Sequence, residues 1–235
     1  MINAFVFSSA DAGTTAPENG PGGGFPTLAE LVQPDGIVAP LGAASTFLGV
    51  VTLAFWAIAA ATDYSTGLVR ILVQAQPRRF LLLAGKVVAL IGWTAAATTV
   101  ATIVIVGTAP VMASVFGVST DAWGSDLLSI TAEAWLDTFL ALVVWGVIGL
   151  VIAVLTRSSA IAITIGIGYV LVVENIVGLV SDDLAHWLPG QTLTALAQGG
   201  TADVAYGTAV VLGLLYATIG LVSAAVTFAR RDVLD

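Results

Sequence analysis

Three carboxylates set among long apolar stretches are the residues of this chain best placed to do chemistry: Glu133, Asp137 and Glu174. Glu133 and Asp137 are four residues apart, so on a helix they share one face. Asp137 lies 20 residues before Arg157 and Glu174 lies 17 after it, distances of about 30 Å and about 25 Å along a helix. All three therefore fall near one boundary of a bilayer whose far boundary holds Arg157. A carboxylate at the bilayer centre costs about 2.5 to 3.5 kcal/mol on insertion scales, and less toward the edge. One reading is a polar outer vestibule or gate contact for a cationic or amphipathic substrate. The plainer reading is the wetting of helix ends.

The second chemical feature is positive. The stretch "DYSTGLVRILVQAQPRRFLLLAGK", residues 63 to 86, holds Arg70, Arg78, Arg79 and Lys86, four of the seven Lys and Arg in the chain. Residues 65 to 76 keep helical periodicity, with Leu68, Ile71, Leu72 and Ala75 on one face and Arg70 and Gln74 on the other. The pattern predicts an amphipathic helix along the inner interface that ends at Pro77. Lys86 then opens the next span, from which its amine can reach back to the headgroups.

Other chemistries are excluded by residue type. A phosphate-binding loop needs G-x-x-x-x-G-K-[ST], whereas "LAGKVV" lacks both the first Gly and the following hydroxyl. There is no Cys, and the single His186 cannot build a metal centre alone. The motif "LPGQ" at Pro189 to Gln191 predicts the start of a short outer helix, because Pro fits a first helical turn. No catalytic residue is expected.

The elements that position these residues follow from composition. Only 9% of the 235 residues are charged and 58% are hydrophobic, against about 25% charged in a soluble domain. The membrane is the natural solvent for such a chain. Continuously apolar runs predict an all-α integral membrane protein with five visible transmembrane helices, near 40–62, 84–107, 135–156, 159–180 and 206–228. A short amphipathic inner helix and short outer helices complete the expected fold. With five alternating spans, all seven bases fall on one side, together with the carboxyl terminus. Asp11, Glu18, Glu30, Asp35, Asp121, Asp126, Asp182, Asp183 and Asp203 fall on the other. The basic side is the cytoplasmic one.

Two regions result: a Gly- and Pro-rich extracytoplasmic segment, 1–36, and a single transmembrane domain, 37–235. Segment 1–36 lacks a signal-peptide core and reads as a connection between spans, with a short helix at "TLAELV". The expectation is that a sixth, first span lies upstream, with Met1 to Ser8 its last turns. Glycines at 146, 149, 166, 168, 213 and 220 permit close helix packing, within the chain or across a dimer. Trp93, Trp123, Trp135, Trp187 and Tyr206 read as interface anchors.

The ordered set Asp63, Tyr64, Gly67, Arg70, Pro77, Arg79 and Lys86, followed by "LTRSSAIAITIG", "VVEN", "LPGQTLTALAQGG" and "FARRDVLD", resembles the permeases of the type-2 ATP-binding-cassette (ABC) exporter family. The resemblance covers residues 40 to 235. It implies a six-helix permease that pairs with a second permease, as homo- or heterodimer, in the cytoplasmic (inner) membrane of a prokaryote. It further implies a separate ABC ATPase docked on the loop from Asp63 to Lys86, with Arg70, Arg78 and Arg79 anchoring it. ATP and Mg would be held by that partner, and this chain would be a transport subunit and not an enzyme. Membrane lipid is the other expected partner; no nucleic acid is. The alternative is a multi-span membrane protein without an ATPase, a secondary transporter or an assembly scaffold.

Overall fold

A computed structural model describes residues 1–11, 25–66, 79–124 and 126–230. Among these residues the secondary structure is helical, without strands. Three short helices come first: α1 (Ile2–Asp11), α2 (Leu28–Leu31) and α3 (Ala39–Ala43). The long helices α4 (Ser45–Ser65), α5 (Arg79–Val115) and α6 (Leu127–Thr156) follow. Next come α7 (Ser159–Gly168), a π-helical turn (Tyr169–Val173) and α8 (Glu174–Val180), then α9 (Asp182–Ala185), α10 (Pro189–Ala197) and α11 (Tyr206–Arg230). Helices α4, α5, α6 and α11 are long and apolar enough to cross a bilayer, which makes this a membrane protein.

Helix α6 is the centre of the bundle, packing against α4, α11, α10, α7 and α5. Its contact with α4 is close because two Trp–Gly pairs interlock. Trp145 of α6 covers Gly49 of α4, where a Cβ would lie 2.4 Å from the indole, and Trp56 of α4 covers Gly146 of α6 at the same distance. One turn along, a Cβ on Gly149 would meet the Leu53 carbonyl oxygen at 2.3 Å. A side chain at any of the three would force the helices apart, so the expected glycine packing is confirmed here, within one chain. Gly166 and Gly220 are filled by Leu53 and Val147 respectively, whereas Gly168 faces open space. The pairing Gly49–Trp145 and Leu53–Gly149 runs in register, so α4 and α6 are parallel and α5 returns between them.

Two helices exceed their expected lengths. Helix α5 has 37 residues, 79–115, where 84–107 was expected, and α6 begins at Leu127 instead of 135. At about 55 Å, α5 is nearly twice the thickness of a hydrocarbon core. Its far end is clothed by α1 and α2 in an apolar cluster of Val6, Phe7, Leu31, Ala113 and Val118. The Asn3 amide donates to the Ile105 carbonyl at 2.8 Å and to Thr108 at 2.7 Å, close to Pro110, which interrupts the helix ladder. The charge-free apolar run continues through this extension, so the expected end at 107 followed bilayer thickness and not a change in the sequence. The expected span 159–180 is helical throughout, but as α7, a π turn and α8. The short helix at "TLAELV" is α2, with a reciprocal capping box between Thr27 and Glu30.

Candidate functional site

The acidic end of the bundle holds a cavity of roughly 930 Å³. Its walls come from α3, the start of α6, the end of α10 and the connection from α10 to α11, with residues 25–35 across the mouth. Glu133 and Asp137 line it from one face of α6, as their spacing predicted, and Glu30, Asp35 and Asp203 add three more carboxylates. Among the described residues no Lys, Arg or His lines it.

Asp137 is the most buried of the five acids that line the cavity, with 9% of its surface exposed. The Tyr206 hydroxyl donates to its Oδ1 at 2.6 Å. Two glycines bring Tyr206 there: Gly199 and Gly200 have φ of 73° and 115°, in the region that L side chains rarely adopt. They turn the chain from the end of α10 to the start of α11. Tyr206, exposed at the first residue of its span where an interface anchor was expected, is also a partner of Asp137. A Tyr at the first residue of a span gives no sequence signal for such a bond.

Glu174 does not line the cavity. It is 2% exposed, and its Oε1 accepts from the Gly190 N–H at 2.7 Å in the first turn of α10. Its Oε2 has no hydrogen-bond partner and lies where a Cβ on Gly190 would come within 1.7 Å. Tyr169, in the π turn, places its hydroxyl beside the same carboxylate, close enough to act on it as a hydrogen-bond donor. Of the three acids expected at an outer vestibule, Glu133 and Asp137 line this cavity and Glu174 does not. The third points across the bundle because the π turn before it rotates its helix face. Gly190, the other half of this contact, was not singled out from the sequence. Its only signal was the Pro-Gly opening of α10.

At the opposite end, Lys86 of α5 forms an ion pair with Asp63 of α4 and donates to the Ala59 carbonyl. Both side chains are about a fifth exposed. Lys86 therefore turns to a protein partner instead of to the headgroups, and the pair pins together the two helix ends that flank the basic loop. Gly67, Arg70, Pro77 and Arg78, with most of the expected amphipathic helix, lie outside the described residues. Tyr64 lies in the last turn of α4 and Arg79 begins α5, with side chains also outside the description. Arg157 holds a left-handed turn, φ 54°, between α6 and α7, and Ser158 caps α7 by accepting from the Ile161 N–H. Among the described residues no group of three or more His, Asp or Glu could hold a metal ion.

A family profile described as "Protein of unknown function (DUF2705)" matches residues 18–234, and the chain belongs to that family. Neither the curated proteins nor the solved structures yield a match.

Proposed function

We propose that the chain is the transmembrane subunit of an ABC exporter, moving a substrate across the cytoplasmic membrane of a prokaryote with ATP hydrolysed by a separate subunit. In this reading α7, the π turn and α8 form a fifth span. The acidic end faces outward and the basic end faces the cytoplasm, by the positive-inside rule. The observation that carries the reading is the ordered motif from Asp63 to Lys86. The ion pair between its first and last residues supports it, because two helices joined at the root of a loop can receive a displacement together. Arg70, Arg78 and Arg79 anchor the ATPase there, and a second permease completes the transporter. The cavity at Glu133 and Asp137 is the outward vestibule through which a cationic or amphipathic substrate leaves.

The test is co-purification from the native membrane. An ABC ATPase accompanies the parent chain and is lost from the Arg70→Ala/Arg78→Ala/Arg79→Ala variant, while the variant still inserts in the membrane. Failure to recover any ATPase, together with no stimulation of ATP hydrolysis on coexpression with candidate ATPases, would sink the reading in favour of a membrane protein without an ATPase.

A further inference from the structure

Helix α10 is short, yet it is packed like a core element: Thr192, Leu193, Thr194 and Ala195 are at most 1% exposed. One side of it meets Trp145, Val144 and Leu53 in the bundle. Its other side and its end, at Gln191, Ala197 and Gln198, line the acidic cavity. It is thus the partition between that cavity and the interior of the bundle. Its far end runs into Gly199 and Gly200, whose positive φ values mark a tight turn. Its near end is held by the Glu174 carboxylate, placed at the positive end of the helix dipole.

That carboxylate is an odd element for a static wall. A buried ionisable group is expected to have all its lone pairs engaged, because a half-satisfied polar group in low dielectric is costly. Glu174 engages the Gly190 N–H through Oε1 and has the Tyr169 hydroxyl beside it, yet Oε2 meets no donor in hydrogen-bond geometry, with a glycine opposite that leaves it just enough room. The helix that carries Glu174 is interrupted one residue earlier by the π turn, an irregularity often found where function requires it.

We propose that Glu174 and Gly190 form a latch: while Oε1 holds the Gly190 N–H, α10 closes the passage between the acidic cavity and the bundle interior, and release of that bond lets α10 swing about Gly199 and Gly200. The latch stands on the geometry of the chain itself, whatever partner drives it. Its test needs no ATPase and no substrate.

The chain has no Cys, so one introduced thiol reports one position. Ala195→Cys places it on α10 and Ala153→Cys places it in the core of α6; both alanines are fully buried. Each protein, in nanodiscs with both faces open to buffer, is treated with a charged, membrane-impermeant maleimide, and the labelling rate is followed by mass spectrometry. Ala195→Cys alone reacts slowly. Adding Glu174→Ala accelerates it about tenfold or more, the scale of one lost hydrogen bond to a charged group. Adding Gly190→Ala, whose Cβ displaces Oε2, does the same. Glu174→Gln keeps a carbonyl oxygen for the Gly190 N–H and leaves labelling slow. Ala153→Cys stays slow in every background. The latch is overturned if Ala195→Cys labels at the parent rate with both Glu174→Ala and Gly190→Ala. It is equally overturned if Ala153→Cys accelerates alongside it, since the carboxylate then holds the whole fold and not α10.

Discussion

Asp137 and Glu174 are both helix-borne carboxylates at least nine-tenths buried, and their surroundings differ in kind. Asp137 opens on a cavity shared with four other acids and takes one hydrogen bond from a tyrosine hydroxyl. Glu174 is sealed against a backbone N–H at the start of a helix. A side-chain donor can be lost without exposing any backbone group, so Asp137 is free to answer to whatever enters the cavity. A backbone donor has no substitute, so Glu174 answers to α10. Burial of an acid in a membrane protein therefore does not fix its role; the identity of the donor does.

Substitutions separate the two. Glu174→Ala leaves the Gly190 N–H of α10 buried and unpaired and has the largest expected effect, about 1 to 3 kcal/mol of stability, read as a lower unfolding midpoint in detergent. Tyr206→Phe removes one donor from Asp137 and costs about 0.5 to 1.5 kcal/mol by the same measurement. A larger loss for Tyr206→Phe than for Glu174→Ala would reverse the contrast. At the opposite end, Lys86→Ala breaks a part-exposed ion pair and costs up to about 1 kcal/mol; the exchange Asp63→Lys with Lys86→Asp restores part of it. Asp137→Asn keeps an oxygen for Tyr206, so stability moves by less than about 1 kcal/mol, but affinity for tetraphenylphosphonium in equilibrium dialysis falls about tenfold. Equal affinity in Asp137→Asn and parent would remove the cavity as a cation site. Glu133→Gln, at the same wall but not deeply buried, changes stability by less than about 0.5 kcal/mol.

Sequence reasoning reached what depends on composition and periodicity. Four of the five expected spans coincide with long apolar helices, and the spacing of Glu133 and Asp137 put both on one wall. It stopped where tertiary contact decides. The docking of α1 and α2 on one face of the α5 extension joins segments far apart in the chain, which no local pattern records. The π turn at Tyr169–Val173 has no residue signature, so the rotation that takes Glu174 away from the cavity was not visible. Gly190 looked like an ordinary helix-start glycine until the carboxylate opposite gave it a reason. The interlocked pairs Trp145–Gly49 and Trp56–Gly146 combine a residue type expected at interfaces with one expected at crossings, and only the register of α4 on α6 matches them.

Helix α5 begins beside the ion pair at the basic end and reaches the cluster of Val6, Phe7 and Leu31 beyond the acidic end without a break in its helical assignment. Such an element acts as a lever arm. A tilt of about five degrees about Lys86 would sweep the far end at Val115 sideways by about 4 Å over an arm of about 44 Å. That sweep is about half the spacing of two packed helices, so a small push at the root of the basic loop is enough to strain the contacts that clothe the far end.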